Sequence, residues 1–249
     1  MKVGCSRPVI ISVLSLAAMR AAIYFTPPAD HSLTRAAAAW LGRDAFTGTA
    51  VPRGDVPGFD TEEVDTLTAD PRRYGFHATL KPPFRFAEGE GIDTLRAALA
   101  AFAGVRAAVP LPALRLERLG LFFALTSAAP VPALQALGDD IVRAFDRFRA
   151  QPSEAEIARR RPERLTPRQR ENLATWGYPY VLDEFRFHMT LTGPVPEERR
   201  SAMEAVLAER FAAFVGRPFV IDAVGLFVEP SPPGTFVVDT VVPLRTPPA

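Results

Sequence analysis

Two stretches of the chain carry the same five-residue frame. Tyr74-Gly-Phe-His-Ala-Thr-Leu80 and Phe185-Arg-Phe-His-Met-Thr-Leu191 both read Phe-His-x-Thr-Leu, and between them they hold two of the three histidines in 249 residues. Histidine titrates near neutrality, so one imidazole can take a proton from an attacking oxygen while the other delivers one to a leaving oxygen. Thr79 and Thr190, two positions beyond His77 and His188, can donate hydrogen bonds to non-bridging oxygens. Such a set suits a phosphodiester and requires no metal. Alternate strand residues share a face, so His77 and Thr79 stand opposite Phe76, Ala78 and Leu80, and His188 and Thr190 opposite Phe187, Met189 and Leu191. Counting on by twos adds Lys81 to the first polar face and Arg186 and Thr192 to the second. Lys81 and Lys2 are the two lysines in a chain whose other 27 basic residues are arginine. Lys81 and Arg186 are therefore candidates to neutralise phosphate charge.

Elements able to position these groups follow from the pattern around them. Ala21 to Thr26 is rich in apolar, β-forming residues and predicts the first strand, with Tyr24 and Thr26 on one face; Tyr24 joins the candidate binding residues. Asp30 predicts the cap of a helix through Leu41, stopped at Gly42, with His31 a solvated residue of its first turn. Phe46 to Leu67 lacks a period and reads as a long loop that could cover a cleft. Further helices are expected over Ile92 to Phe102, Val131 to Arg149 and Glu197 to Val215, with short ones opened by the Ser153-Glu156 capping box and by Thr166-Pro167. Leu114 to Leu125 is expected to form a strand pair or one bent strand, and single strands are expected over Val220 to Val228 and Thr235 to Leu244. The order strand, helix, motif strand, helix, Gly-Leu-Phe strand occurs twice, with Ile23-Tyr-Phe answering Phe122-Phe-Ala and Gly120-Leu-Phe answering Gly225-Leu-Phe. Duplication of one unit explains this. The halves, about 20–120 and 121–245, would face each other across a pseudo-two-fold axis and bring the motif strands side by side in a central groove.

Composition narrows the classes. Formal net charge is +1 with 48% hydrophobic residues, so bulk attraction recruits neither nucleic acid nor an anionic membrane, and an anionic ligand must be held by local groups. A single cysteine, Cys5, excludes an internal disulfide. The arginines between Arg159 and Arg170 read as a solvated face, or as a phosphate-contacting rim for a longer nucleic acid. Lys2 and Arg7 before an apolar run to Ala18 outline either a secretory signal or an upstream extension of a protein that begins at Met19; the second is preferred.

The flanked motifs, Arg72-Arg-Tyr-Gly-Phe-His-Ala-Thr-Leu-Lys-Pro-Pro83 and Arg186-Phe-His-Met-Thr-Leu-Thr-Gly-Pro194, resemble the signature of the two-histidine (2H) phosphoesterase superfamily. The likeness includes RNA cyclic phosphodiesterases and 2′-5′ RNA ligase-like proteins and points to a branch associated with bacterial phosphonate-utilisation operons. It covers the chain from about Met19 onward. The resemblance implies an α+β, duplicated bilobal fold with two antiparallel sheets forming a central groove and helices outside. It also implies a hydrolase in which water attacks a cyclic phosphate, one histidine acting as base and the other as acid, without cofactor or metal. The expected partner is a small phosphorylated sugar or nucleotide, with an RNA end as the alternative, for a cytoplasmic monomer that does not engage a membrane. A non-catalytic nucleotide sensor and a two-histidine metal hydrolase using Asp183 or Glu184 are the rival classes.

Overall fold

The computed structural model of the protein describes residues 19–246. The extension from Met1 to Ala18, and Cys5 with it, lies outside the described residues. Strands β1 (Arg20–Phe25), β2 (Ala78–Arg85), β3 (Val109–Leu111), β4 (Leu114–Leu119), β5 (Phe122–Ser127), β6 (Met189–Thr190), β7 (Phe219–Ile221), β8 (Ala223–Glu229) and β9 (Val237–Pro243) alternate with seven α-helices among the described residues. These are α1 (Ser32–Leu41), α2 (Thr61–Tyr74), α3 (Ile92–Ala103), α4 (Pro132–Ala144), α5 (Glu154–Ala158), α6 (Pro167–Trp176) and α7 (Arg200–Arg210). The architecture is α+β with two antiparallel sheets, one of seven strands in the order β4-β5-β6-β2-β1-β8-β9 and one of two, β3-β7.

The motif strands β2 and β6 are neighbours in the middle of the large sheet, paired at Ala78 and Met189. Each half lends a strand to the other. β4 pairs with β5 of the second half, and β8, from the second half, pairs with β1 of the first. On the side away from the groove, Leu33, Leu95, Ile141 and Leu207 of α1, α3, α4 and α7 belong to one buried cluster with the apolar sheet residues. Leu125, Met189, Ala78 and Phe25, which lie in register across four adjacent strands, are all 0% exposed. Burial of the Leu125, Met189 and Phe25 side chains contributes about 1.5–3 kcal/mol each, which fixes the central strands beneath the motifs.

Several local readings change. The helices expected over Val131 to Arg149 and Glu197 to Val215 narrow to Pro132–Ala144 and Arg200–Arg210, and the strand expected over Val220 to Val228 is divided at Asp222. His31, not Asp30, caps α1, its Nδ1 accepting from the Leu33 N–H at 3.1 Å. The expected loop through Leu67 ends early, because Asp60 caps α2 by accepting from the Glu63 N–H at 2.8 Å. Val64, Leu67, Thr68 and Pro71 are buried at helical spacing in α2, and the Gly193 N–H donates to the Leu67 carbonyl at 2.6 Å, tying the helix to the second motif. The repeat register also shifts by one: Tyr24 pairs with Thr79 and Ala124 with Thr190, so Tyr24 answers Ala124 rather than Phe123.

Candidate active site

His77 and His188 immediately precede β2 and β6, and the Ala78–Met189 register continued by one residue each way sets each histidine opposite the other motif's threonine, His77 with Thr190 and His188 with Thr79. The two histidines therefore lie on a diagonal of a four-residue patch, a spacing of about 7–8 Å between strand positions.

Both rings are held by the same device. His77 Nδ1 lies 2.8 Å from the Gly75 carbonyl, and His188 Nδ1 lies 2.7 Å from the Arg186 carbonyl. A carbonyl only accepts, so each Nδ1 carries the proton and each Nε2 is left for chemistry. His77 Nε2 lies 3.2 Å from Thr79 Oγ1. Gly75 is required for the first lock: its φ is 79°, and a Cβ there would come within 2.3 Å of the Ala45 Cβ.

The environments differ. The Tyr24 ring stacks on His77 with centroids 3.8 Å apart, and Tyr74 and Phe227 lie at 6.0 and 6.1 Å. His188 has Phe122 at 5.8 Å, and the strand position matching Tyr24 is Ala124. Burial pushes the His77 pKa down to about 4, with the nearby His188 adding to the effect and the Gly75 carbonyl opposing it. The His188 pKa is also lowered by burial.

Two adjoining cavities cover the patch. One, of ≈ 370 Å³, is lined by His77, Tyr24, Thr79, Thr190 and Thr192; the other, of ≈ 480 Å³, is lined by His188 and Arg186. Thr79, Pro82, Phe122 and Tyr178 line both.

Lys81 does not join this patch. The register between β1 and β2 passes from Tyr24–Thr79 to Ile23–Lys81, so Leu80 is an extra residue in its strand. This β-bulge sends Lys81 to the core side. There Lys81 is 2% exposed, and its Nζ donates to Asp146 Oδ1 at 3.1 Å and to the Val142 carbonyl at 3.2 Å. Burial lowers its pKa to about 8, against the raising influence of Asp146. Thr192 is wholly buried, and its hydroxyl accepts from the Phe123 N–H at 3.0 Å, a structural bond to β5. Arg186 lies at the groove mouth and donates to Glu117 Oε1 at 2.5 Å.

Tyr74, Tyr178 and Tyr180, which the motif reading passed over, complete the groove. With Tyr24, all four tyrosines of the chain line one or both cavities. Against 18 phenylalanines, that scarcity was the usable signal: a hydroxyl on a buried ring pays where it can reach a polar partner. Burial raises the pKa of Tyr178, so its phenol remains a donor at neutral pH. Arg160, from the arginine-rich segment, lies 4.8 Å from the Tyr178 ring and lines the His77 cavity. Among the described residues no three His, Cys, Asp or Glu side chains form a metal-binding group, and no helix is long and apolar enough to cross a membrane.

Comparison with known proteins adds a family. The chain is 37% identical over 232 residues to the ribose 1,5-bisphosphate phosphokinase PhnN of Janthinobacterium sp. (strain Marseille), covering 92% of this chain and 51% of that protein. It is 32% identical over 218 residues to the protein of the same name from Laribacter hongkongensis (strain HLHK9), covering 88% and 50%. The chain thus spans about half the length of the curated relatives it matches. Among solved structures it is similar to a crystal structure of a phosphoesterase at 14% identity, covering 92% of this chain and 99% of that one, with a TM-score of 0.44. It is also similar to E. coli LigT complexed with 3′-AMP at 12% identity, covering 91% and 98%, with a TM-score of 0.41. Residues 79–237, more than half of the chain, match the profile described as "Protein of unknown function (DUF1045)", and the chain belongs to that family.

Proposed function

We propose that this chain is a metal-independent phosphodiesterase that hydrolyses a small cyclic phosphate, on a sugar or nucleotide, by acid-base catalysis between His77 and His188. The observation that carries the reading is the doubled lock: two imidazoles in one repeated frame, each with Nδ1–H tied to the carbonyl two residues before it, each turning Nε2 toward a patch with a threonine beside it. His77, whose pKa is held to about 4 in its aromatic surroundings, stays neutral and is assigned the base. Its Nε2 removes a proton from water as the water oxygen bonds to phosphorus. His188, at the other end of the diagonal, is assigned the acid: as the imidazolium it carries a proton on Nε2 as well as on Nδ1, and the Nε2 proton passes to the ester oxygen as the P–O bond breaks, leaving an alcohol and a phosphate monoester. Thr79, Thr190 and the Tyr178 phenol supply neutral donors for the non-bridging oxygens. Both proton transfers are accounted for, so no metal enters the scheme.

Relatives named for ribose 1,5-bisphosphate favour a phosphorylated sugar over an RNA end, in keeping with the phosphonate-associated branch. Their kinase name does not transfer to these residues: neither Lys2 nor Lys81 follows a glycine, so the Gly-Lys-Ser/Thr phosphate loop has no counterpart in this sequence. The test is turnover in EDTA of 2′,3′-cyclic nucleotides, a cyclic-phosphate-ended oligoribonucleotide and cyclic ribose phosphates, beside His77→Ala and His188→Ala. Loss of turnover in both variants is expected. Saturable binding without turnover of any member would replace the enzyme by a sensor.

A further inference from the structure

Beside the His77 cavity lies a second basin of ≈ 580 Å³ whose wall holds six arginines, Arg20, Arg73, Arg85, Arg149, Arg159 and Arg160, and one carboxylate, Glu156. In a chain with a formal charge of +1, this is a strong local concentration of positive charge. The pairing of these arginines leaves a surplus. Glu156 is taken by Arg85 at 3.0 Å. Glu229, 0% exposed behind the wall, is shared by Arg20 and Arg73, so one carboxylate serves two cations. Asp146 is likewise shared, by Arg149 at 2.8 Å and Lys81 at 3.1 Å. Among the described residues, Arg159 and Arg160 form no ion pair. Arg20, Tyr74, Pro83 and Arg160 line both this basin and the His77 cavity, so the two spaces share a wall.

A guanidinium cluster with more cations than carboxylates next to a reaction site suits an oxyanion, since a planar guanidinium fork meets phosphate with two parallel hydrogen bonds. The motif patch itself uses neutral donors and needs only one phosphate. We propose that the arginine basin binds a second phosphate of the substrate, so that the preferred substrate is a cyclic phosphodiester that also carries a phosphate monoester. This rests on the reading of the His77–His188 patch as a phosphodiesterase and narrows its substrate class. Arg159 and Arg160 supply the contacts not spent on the fold. Arg20 and Arg73 both hold the buried Glu229 and keep the basin in place.

The experiment compares cyclic ribose phosphate and adenosine 2′,3′-cyclic phosphate with the same compounds bearing a 5- or 5′-phosphate, using the whole chain. The expected result is kcat/KM at least ~10-fold higher for the phosphorylated member of each pair. Arg159→Ala/Arg160→Ala should bring that ratio close to one, and Arg159→Glu/Arg160→Glu should invert it; neither variant breaks an ion pair of the fold. Equal turnover of both members by the wild-type protein overturns the basin and leaves the phosphodiesterase standing. If no compound is turned over, the phosphodiesterase reading fails. Calorimetric binding of ribose 5-phosphate, which contains no diester, then decides the basin: binding lost in the double variant upholds it, and no binding by the wild-type protein overturns it.

Discussion

His77 and His188 occupy identical frames and are tied at Nδ1 in the same way, yet they are not equivalent, because one has a tyrosine ring against its face and the other does not. That difference predicts a pH profile. In the free protein the base is lost when His77 gains a proton near pH 4, and the acid is lost when His188 gives up its proton below its ordinary value of about 6.5. A plot of kcat/KM should therefore peak between about pH 4 and 6.5; a maximum above pH 7 contradicts the assignment. Removing either imidazole by alanine substitution should lower kcat by at least ~10²-fold. The same His77 shift bears on stability. The unfolded chain takes up this proton near pH 6.5 and the folded one only near pH 4, so the unfolded state binds more protons within that window. Stability should fall as pH drops through it, and His77→Gln should flatten the dependence in denaturant melts. The histidine and threonine pairs were legible as residues because the frame is repeated. The Tyr24 stack was not, since parity gave Tyr24 a face and not a neighbour.

Among the elements, the bulge at Leu80 has the largest consequence. It keeps the alternation in step from His77 to Thr79 and reverses it at Lys81. Counting by twos along the sequence assigns Lys81 to the phosphate, whereas the strand delivers it to Asp146. Lys81→Met should accordingly leave kcat/KM within about twofold of wild type while shifting the melting temperature, because it unpairs one partner of a buried pair that Arg149 still neutralises in part. A large loss of turnover with an unchanged melting temperature would return Lys81 to the site. Beneath the patch, Met189 is 0% exposed at the β2–β6 seam. Met189→Ala should cost about 2–5 kcal/mol in equilibrium unfolding. Helix α2 was illegible for a different reason. Its run of threonine and aspartate with Pro71 near its end has the local chemistry of a loop, and its apolar stripe of Val64, Leu67 and Pro71 is narrow; tertiary packing outweighs that weak propensity.

Across the whole molecule the exchange of strands matters most. β4 leaves the first half to pair with β5, and β8 leaves the second half to pair with β1, so neither half closes its own share of the sheet. A chain divided between residues 120 and 121 should yield fragments that do not unfold cooperatively alone and that recover a cooperative transition on mixing, read by circular dichroism against denaturant. Independent cooperative folding of each fragment would show that the exchange is dispensable. The sequence by itself determined the repeated motifs and the alternation that separates the polar from the apolar face between His77 and Leu80, because each is written in the order and spacing of near neighbours. The tertiary structure alone decided how the strands flanking the motif pair are ordered, that the histidines stand on a diagonal, that Tyr24 covers one of them, and that Arg159 and Arg160 turn into a basin beside the site. Those facts depend on groups far apart in the chain, whose juxtaposition follows from burying a shared core and from a single extra residue in a strand.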